Sequence, residues 1–199
     1  MLCDPRTHYD LLIDEGNDPV LDPPALRAHM DHWDGDAFFD LLSLNNAQSV
    51  LEIGVGTGRL ALRAAPLCAH FTGIDFSLKT IERAQQHLSG CKNVTLLQGD
   101  FMDYVFPSPF DVVYSSLTFM HFSDKQRTID KVFSLLSPNG RFVLSIDQNS
   151  ADCIDMGTRR VPIYPDDPLV IEHCLSRAGF VLQTQAQTPF AHLFCAIHP

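Results

Sequence analysis

The sequence lacks the features of a membrane-spanning, zinc-binding or disulfide-stabilised protein. Its 199 residues contain no apolar run long enough to cross a bilayer. The six cysteines are scattered and form no C-x-x-C pair, which argues against both a zinc site and a disulfide framework. No basic and then apolar stretch of the signal-peptide type occurs near the N-terminus. We therefore expect a cytoplasmic protein with reduced cysteines, no bound metal and no membrane association.

Positive charge is also scarce. The chain has 24 acidic residues against 14 lysines and arginines, and ten of the acids but only two of the bases fall within residues 1–40. A surface of this sign repels a phosphate backbone, so we expect no nucleic-acid partner. Two interpretations of the acidic segment stay open. It is either a solvated, solubilising surface or a lid whose negative field favours a cationic ligand.

The chain does contain regularly spaced apolar residues. Short apolar runs are separated by segments in which apolar residues recur every three or four positions, as in Ile81, Ala84 and Leu88. This pattern predicts strands that alternate with helices, and such alternation is typical of a parallel sheet covered on both faces. The strands predicted in this way are 49–53, 70–75, 94–98, 111–115 and 141–146.

Beyond residue 122 the pattern changes along the chain. The run from Ser123 to Gln126 has the form of a capping box and predicts the start of a helix. Residues 148–167 are polar and rich in glycine and proline, which predicts a long loop. A helix is predicted over 169–178, with Gly179 as its C-terminal stop. Two β-like runs near 180–185 and 190–197 predict a hairpin, so that the last strand runs antiparallel.

The stretch VLEIGVGTGRL places glycines at alternate positions between a predicted strand and a predicted helix. A turn of this kind presents backbone N–H groups and a helix N-terminus to a ligand. The dinucleotide fingerprint G-x-G-x-x-G is not met, because Arg59 occupies the place of its third glycine. A P-loop is absent from the sequence. The pattern that remains is acid-x-G-x-G-x-G, formed by Glu52, Gly54, Gly56 and Gly58.

Three further motifs follow in order, each at the carboxyl end of a predicted strand. The stretch FTGIDFS contains Asp75, at the end of a predicted strand, followed by Phe76, and a carboxylate at that place can accept both hydroxyls of a ribose. The stretch LLQGDFMDY supplies Asp100 with Phe101 beside it. The last motif, FDVVYSSLTFMHF, covers residues 110–122 and runs from a strand into a loop.

Taken together, these motifs resemble the class I S-adenosylmethionine-dependent methyltransferases over residues 46–199. The resemblance implies a doubly wound, Rossmann-like α/β sheet of seven strands with helices on both faces. It also implies the strand order 3-2-1-4-5-7-6, with strand 7 antiparallel. We therefore expect one methyltransferase domain over 1–199, in which an acidic cap, 1–45, covers a core, 46–199.

The resemblance further implies S-adenosylmethionine as the cofactor. In this family the glycine turn accommodates the amino-acid end of the cofactor. An acid placed like Asp75 binds the ribose, an acid placed like Asp100 receives the adenine amino group, and the neighbouring apolar residue packs on the ring. N-terminal segments of the family commonly cover the cofactor, which suggests Tyr9. The cofactor-binding residues expected on this basis are Tyr9, Glu52, Gly54, Gly56, Gly58, Asp75, Phe76, Asp100, Phe101 and Ser115.

The methyl acceptor is less clearly indicated. The chain lacks the Asn/Asp-Pro-Pro-Tyr/Phe run of amino-directed nucleic-acid enzymes and the Pro-Cys of cytosine C5 enzymes, so we expect a small-molecule acceptor, with a protein as the alternative. His121 and Asp147 are the candidate general bases, and each has a purely structural reading as well. Arg159 and Arg160 either bind an anionic acceptor or are solvated.

Two other functions stay open. One is a protein that binds S-adenosylmethionine for sensing or regulation, because no residue is a convincing base. The other is a nicotinamide-dependent oxidoreductase, which shares the sheet and the ribose carboxylate but needs a glycine where this chain has Arg59.

Overall fold

A computed structural model describes residues 2–199, and it is built from alternating helices and strands. The helices are α1 Pro5–Asp14, α2 Pro24–Leu42, α3 Ala61–Ala64, α4 Leu78–His87, α5 Lys125–Leu135 and α6 Pro168–Ala178. Short 3-10 helices cover Ala65–Leu67 and Phe119–His121. The strands are β1 Ser49–Ile53, β2 His70–Asp75, β3 Val94–Gln98, β4 Phe110–Ser116, β5 Leu136–Asp147, β6 Cys153–Asp155, β7 Arg160–Pro162, β8 Val181–Gln187 and β9 Ala191–Ile197.

Seven of these strands form one sheet in the order β3-β2-β1-β4-β5-β9-β8. Strands β1 to β5 pair in parallel, and β9 runs antiparallel to both β5 and β8. When β8 and β9 are counted as the sixth and seventh strands of the sheet, this is the order implied by the family resemblance. The predicted fold class and strand order are therefore confirmed, and β1, β2 and β3 have the predicted bounds.

The main sheet separates two apolar cores. Side chains of α2 and α4, such as Phe38 and Ile81, pack on one face, and side chains of α5 and α6, such as Ile129 and Ile171, pack on the other. All four are at most 2% exposed, and burying a side chain of this size contributes about 1.5–3 kcal/mol. Burial on both faces explains why the central strands are mainly apolar rather than alternating between apolar and polar residues.

Two local predictions were wrong in part. The stretch 148–167 is not simply a loop, because β6 and β7 form a two-stranded hairpin within it, with Gly157 at a positive φ of 75° in its turn. Strands of three residues are too short to produce a readable pattern. Helix α5 begins one residue later than a Ser123 cap requires, because the carboxylate of Asp124 accepts the backbone N–H of Arg127 and caps the helix.

The acidic N-terminal segment is helical and lies against the core. Its acids pair with bases of the core: Asp14 with Lys79, Glu15 with Arg159, and Asp18 with Arg83 and His87. The segment is therefore docked on the core rather than free in solvent. Within residues 2–199, every helix is too short or too polar to cross a membrane.

Candidate functional site

A cavity of about 500 Å³ opens at the carboxyl edge of the parallel strands. Its walls come from the residues that end or follow β1, β2, β3 and β4, and the start of α1 covers it. This is the edge at which doubly wound sheets bind their ligands. The lining residues that matter below are Gly54, Asp75, Phe76, Asp100, Phe101, Thr118 and His121.

Asp75 lies at the centre of this edge. One carboxylate oxygen accepts the backbone N–H of Gly56 at 3.1 Å, and the other accepts that of Ser77, the N-cap of α4, at 3.0 Å. Burial raises the pKa of Asp75 to about 6, although these backbone donors oppose the shift. At neutral pH the side chain is therefore mainly a carboxylate, which joins the glycine turn to helix α4 and lines the cavity.

The three glycines of the turn have three different tasks. Gly54 lines the cavity, and a Cβ on it would lie 2.0 Å from Oγ1 of Thr118. Gly56 has a φ of 56° with open space around it, and its N–H contacts Asp75. Gly58 has a φ of 97°, and a Cβ there would lie 3.2 Å from Cδ1 of Leu88, just beyond α4. The third glycine thus serves helix packing, and the second has open space beside it but does not itself line the cavity.

Asp100 and Phe101 form another wall of the cavity. The carboxylate of Asp100 accepts the backbone N–H of Met102 at 2.8 Å, which fixes the turn after β3. Asp100 is exposed, whereas Phe101 is only 4% exposed. A carboxylate beside an apolar surface suits a flat heteroaromatic ring that carries an amino group.

Tyr9 of α1 meets His121 above the cavity. The Tyr9 hydroxyl and Nε2 of His121 are 2.9 Å apart, and the Tyr9 ring packs edge-on against Phe76. Burial lowers the pKa of His121 to about 4, so its imidazole is neutral at pH 7. Burial also raises the pKa of Tyr9 above its usual range, so its hydroxyl stays protonated. Nδ1 of His121 is buried and has no hydrogen-bond partner within residues 2–199.

Several predicted site residues do not line the cavity. Glu52 is buried on the α2 face of the sheet, accepts the Tyr114 hydroxyl at 2.9 Å, and has a pKa raised by burial to about 8. Ser115 is fully buried and donates to the carbonyl of Ile53 at 3.2 Å. Because successive side chains of a strand point to opposite faces, these residues face the cores rather than the edge.

The remaining predicted candidates are paired with other protein groups. The carboxylate of Asp147 accepts the backbone N–H of Asn149 at 2.8 Å and so stabilises the turn after β5. The guanidinium of Arg159 donates to both carboxylate oxygens of Glu15, at 2.5 and 2.7 Å, and its Nε donates to Nδ1 of His8. Arg160 pairs with Asp155 on the surface. Arg159 therefore anchors α1, and its guanidinium is not directed at an acceptor.

Sequence reasoning missed two parts of the site. Thr118 and the start of α1, 4–6, line the cavity, and Asp34 of α2 binds Ser116 and Arg59 beside it. Thr118 lies within the motif at 110–122 but was not singled out there, and nothing local in the sequence pairs Asp34 with Arg59 or Ser116, which are 25 and 82 residues away. Within the described chain, 2–199, no cluster of His, Cys, Asp or Glu is arranged to hold a metal ion.

With this geometry established, comparison with known proteins identifies the family. The methyltransferase domain model matches residues 44–160, which is more than half of the chain. The chain belongs to the methyltransferase domain family. It has the Rossmann-like fold of the class I enzymes, as the sheet order shows.

Individual relatives agree with this assignment. Phosphoethanolamine N-methyltransferase of Triticum aestivum is 33% identical over 111 residues, which are 54% of this chain and 22% of that protein. N-methyltransferase NodS of Bradyrhizobium japonicum WM9, solved with S-adenosyl-L-homocysteine, superposes with a TM-score of 0.75 at 21% identity, over 96% of this chain and 98% of that one. The [4+2]-cyclase SpnF superposes with a TM-score of 0.77 at 17% identity, over 98% and 95%.

The curated relatives match this chain over only part of their own length. The chain spans 22%, 46% and 56% of the length of three curated relatives that it matches. The structural neighbours share the fold at low identity, and one of them is named as a cyclase. Fold and family are therefore fixed, whereas the reaction has to be argued from the site.

Proposed function

We propose that this protein transfers a methyl group from S-adenosylmethionine to a small-molecule acceptor. The observation that carries the proposal is the cavity of about 500 Å³ that is lined by Asp75, by Gly54 of the glycine turn, by Asp100 and Phe101, and by the start of α1. The groups of the site match the successive parts of the cofactor. Asp75 suits the ribose hydroxyls, Asp100 and Phe101 suit adenine, and the backbone of the glycine turn suits the amino-acid end.

The cofactor supplies the reactive methyl group, and the chain supplies binding, alignment and exclusion of water. Alignment of donor and acceptor alone can contribute about 7–11 kcal/mol to such a displacement. Asp75 orients the ribose, and Phe101 provides an apolar surface for the base. Helix α1 covers the cavity, so water is excluded only when the N-terminal segment is docked.

His121 is the group that we assign to the acceptor. Its imidazole is neutral at pH 7 and lines the cavity, so it can orient a nucleophile by hydrogen bonding, whereas a pKa lowered to about 4 makes it a weak proton acceptor. Tyr9 fixes the ring through the 2.9 Å contact. The wheat relative and the Bradyrhizobium neighbour are both named N-methyltransferases, which makes an amine the first acceptor class to test.

The N-terminal segment completes the proposed domain. We propose that residues 1–45 act as a cap on the core, 46–199, within one methyltransferase domain. The ion pairs of Asp14, Glu15 and Asp18 with the core support this proposal. We expect the reaction in the cytoplasm and not on nucleic acid, because a net charge of −10 opposes a phosphate backbone.

A binding protein without methyl transfer is the second candidate. The likeness to a neighbour that is named as a cyclase favours keeping it, since the same fold is found under another activity. A nicotinamide-dependent oxidoreductase is disfavoured by Arg59, whose guanidinium pairs with Asp34 at the place of the third glycine of the dinucleotide fingerprint.

The first experiment is calorimetric titration of the full chain with S-adenosylmethionine, S-adenosylhomocysteine and NAD. We expect the first two to bind and NAD not to bind, and binding of NAD alone would contradict the proposal. The second is incubation with cofactor labelled in its methyl group and a metabolite extract. Appearance of label in a small molecule supports transfer, and cofactor binding with no labelled product favours the sensor.

A further inference from the structure

The loop that follows β4 is strained. Leu117 has a φ of 53°, in the left-handed region that a bulky apolar side chain rarely adopts. In residues 2–199 the other non-glycine positions with positive φ are Ser43, at the C-cap of α2, and Asn139, in the irregularly paired first part of β5. Strain of this kind persists only where the surroundings fix the backbone, and it is typical of functional sites.

Hydrogen bonds fix the residues on both sides of Leu117. The hydroxyl of Ser116 donates to the carboxylate of Asp34, which is 2% exposed. The hydroxyl of Thr118 donates to the carbonyl of Ser116 at 3.0 Å. The Thr118 side chain fills the space where a Cβ on Gly54 would lie, and it lines the cavity. The first glycine of the turn is thus required by Thr118 and not only by a ligand.

Asp34 joins three separate parts of the chain. Its second carboxylate oxygen is paired with the guanidinium of Arg59, which follows the glycine turn and also contacts Asp31 at 3.3 Å. Helix α2 is interrupted immediately after Asp34, at Gly35, with a φ of 73°. One buried carboxylate therefore connects α2, the glycine turn and the β4 loop.

We infer that Asp34 is a positioning residue that holds Leu117 in its strained conformation through Ser116 and so directs Thr118 into the cofactor cavity beside Gly54. The inference rests on the proposed binding of S-adenosylmethionine. Because the hydroxyl proton of Thr118 is used by the Ser116 carbonyl, the oxygen can offer only its lone pairs to a ligand. Lone pairs suit a cationic group, and the cofactor carries two, its ammonium and its sulfonium.

The test begins with Ser116→Ala, which removes the hydrogen bond to Asp34 and leaves the Arg59 pair in place. We expect about tenfold weaker binding of S-adenosylmethionine by calorimetry, because the strained turn relaxes. Adding Leu117→Gly should restore the affinity to within about threefold of the wild type, because glycine adopts this φ without strain. Rescue by a glycine would not follow if Ser116 contributed only to stability.

Ser115→Ala is the matched control, because it removes a buried hydroxyl from the neighbouring position of the same strand. Ser115 donates to Ile53 and does not line the cavity. We expect its melting temperature to fall while its affinity for the cofactor stays within about twofold of the wild type. Equal affinities of the wild type and Ser116→Ala, or failure of Leu117→Gly to rescue, would overturn the inference. Absence of binding by the wild type would overturn the proposed function as well.

Thr118→Val is the second variant and serves if Ser116→Ala does not fold. It keeps the side-chain shape beside Gly54 and removes the oxygen. Weaker binding of S-adenosylmethionine alone supports a contact with the sulfonium, and weaker binding of S-adenosylhomocysteine as well supports a contact with the ammonium. Unchanged binding of both ligands would show that Thr118 does not contact the cofactor, and the inference would fail.

Discussion

The core and the N-terminal segment differ in how their residues meet. In the core, the site residues follow successive strands, and the parallel sheet brings the ends of those strands together at one edge. In the N-terminal segment, the contacts join residues that are far apart in the chain, both as ion pairs such as Glu15 with Arg159 and as packing such as Tyr9 on Phe76. The walls of the cavity are therefore built by local motifs, whereas its N-terminal cap is placed by long-range ion pairs and aromatic contacts.

The ion pairs also change the electrostatic effect that we expect of the cap on a cationic ligand. The acids of α1 and the following loop are opposed by Lys79, Arg83 and Arg159 of the core. A paired carboxylate contributes little field at a distance, particularly in salt. The charges of the cap are therefore largely paired. We expect the cap to discriminate little between the sulfonium of S-adenosylmethionine and the neutral sulfur of S-adenosylhomocysteine.

The largest expected effect on cofactor affinity is that of deleting the first part of the N-terminal cap. Deletion of residues 1–24 removes α1 with Tyr9 but leaves the sheet and its cores intact, so the core should stay folded by circular dichroism. Because the cavity is no longer covered by helix α1, affinity for S-adenosylmethionine should fall at least about tenfold, as measured by calorimetry. In the full chain, hydrogen exchange of this segment should slow when cofactor is added. Unchanged affinity of the truncated protein would show that α1 is not part of the site.

The next effect tests the floor of the site through Asp75. Asp75→Asn should lower the affinity for S-adenosylmethionine by about tenfold, because an amide cannot accept two ribose hydroxyls and two backbone donors as a carboxylate does. Since the pKa of Asp75 is raised to about 6, wild-type affinity should fall as the pH drops below that value. Calorimetry between pH 5 and 8 in the variant should lack this dependence, and an identical pH profile would exclude the carboxylate role.

A smaller effect concerns stability and Glu52, which the structure places outside the cavity. Burial raises its pKa from 4.5 to about 8, so the native state holds a proton that the unfolded chain releases above pH 4.5. Its contribution to stability is therefore fully present below pH 4.5 and is lost as the pH rises through 8, with a slope of at most about 1.4 kcal/mol per pH unit. Glu52→Gln should remove this slope in denaturant unfolding while leaving cofactor affinity unchanged. If Glu52→Gln weakened cofactor binding, Glu52 would have to be counted among the binding residues.

The smallest effect separates two glycines of one turn. Gly58→Ala meets both a positive φ and the side chain of Leu88, so it should destabilise the fold by about 1–2 kcal/mol with little change in affinity. Gly56→Ala meets only the positive φ, since the space around it is open, and should affect affinity more than stability. Thermal unfolding and calorimetry on both variants check this order, and the reverse order would contradict the tasks assigned to the two glycines.

Much of the site was predictable because its motifs are local. Asp75, Phe76, Asp100, Phe101 and His121 all line the cavity, and each follows a strand that the apolar pattern identified. Glu52 and Ser115 were misplaced because a family motif marks a position in the chain but does not give the direction of the side chain. Asp147 has only a local partner, which the residue type alone does not reveal.

By itself, the sequence determined the five parallel strands, the fold class and the family, because apolar periodicity and strand-end motifs are features of a few neighbouring residues. The tertiary structure alone decided the partners of the acidic segment, the contact of Tyr9 with His121, and the placing of Thr118 over Gly54. Those contacts join residues that are 25 to 144 positions apart, as in Arg59 with Asp34 and Arg159 with Glu15. Their geometry is set by how the helices dock on the sheet, which no local pattern encodes.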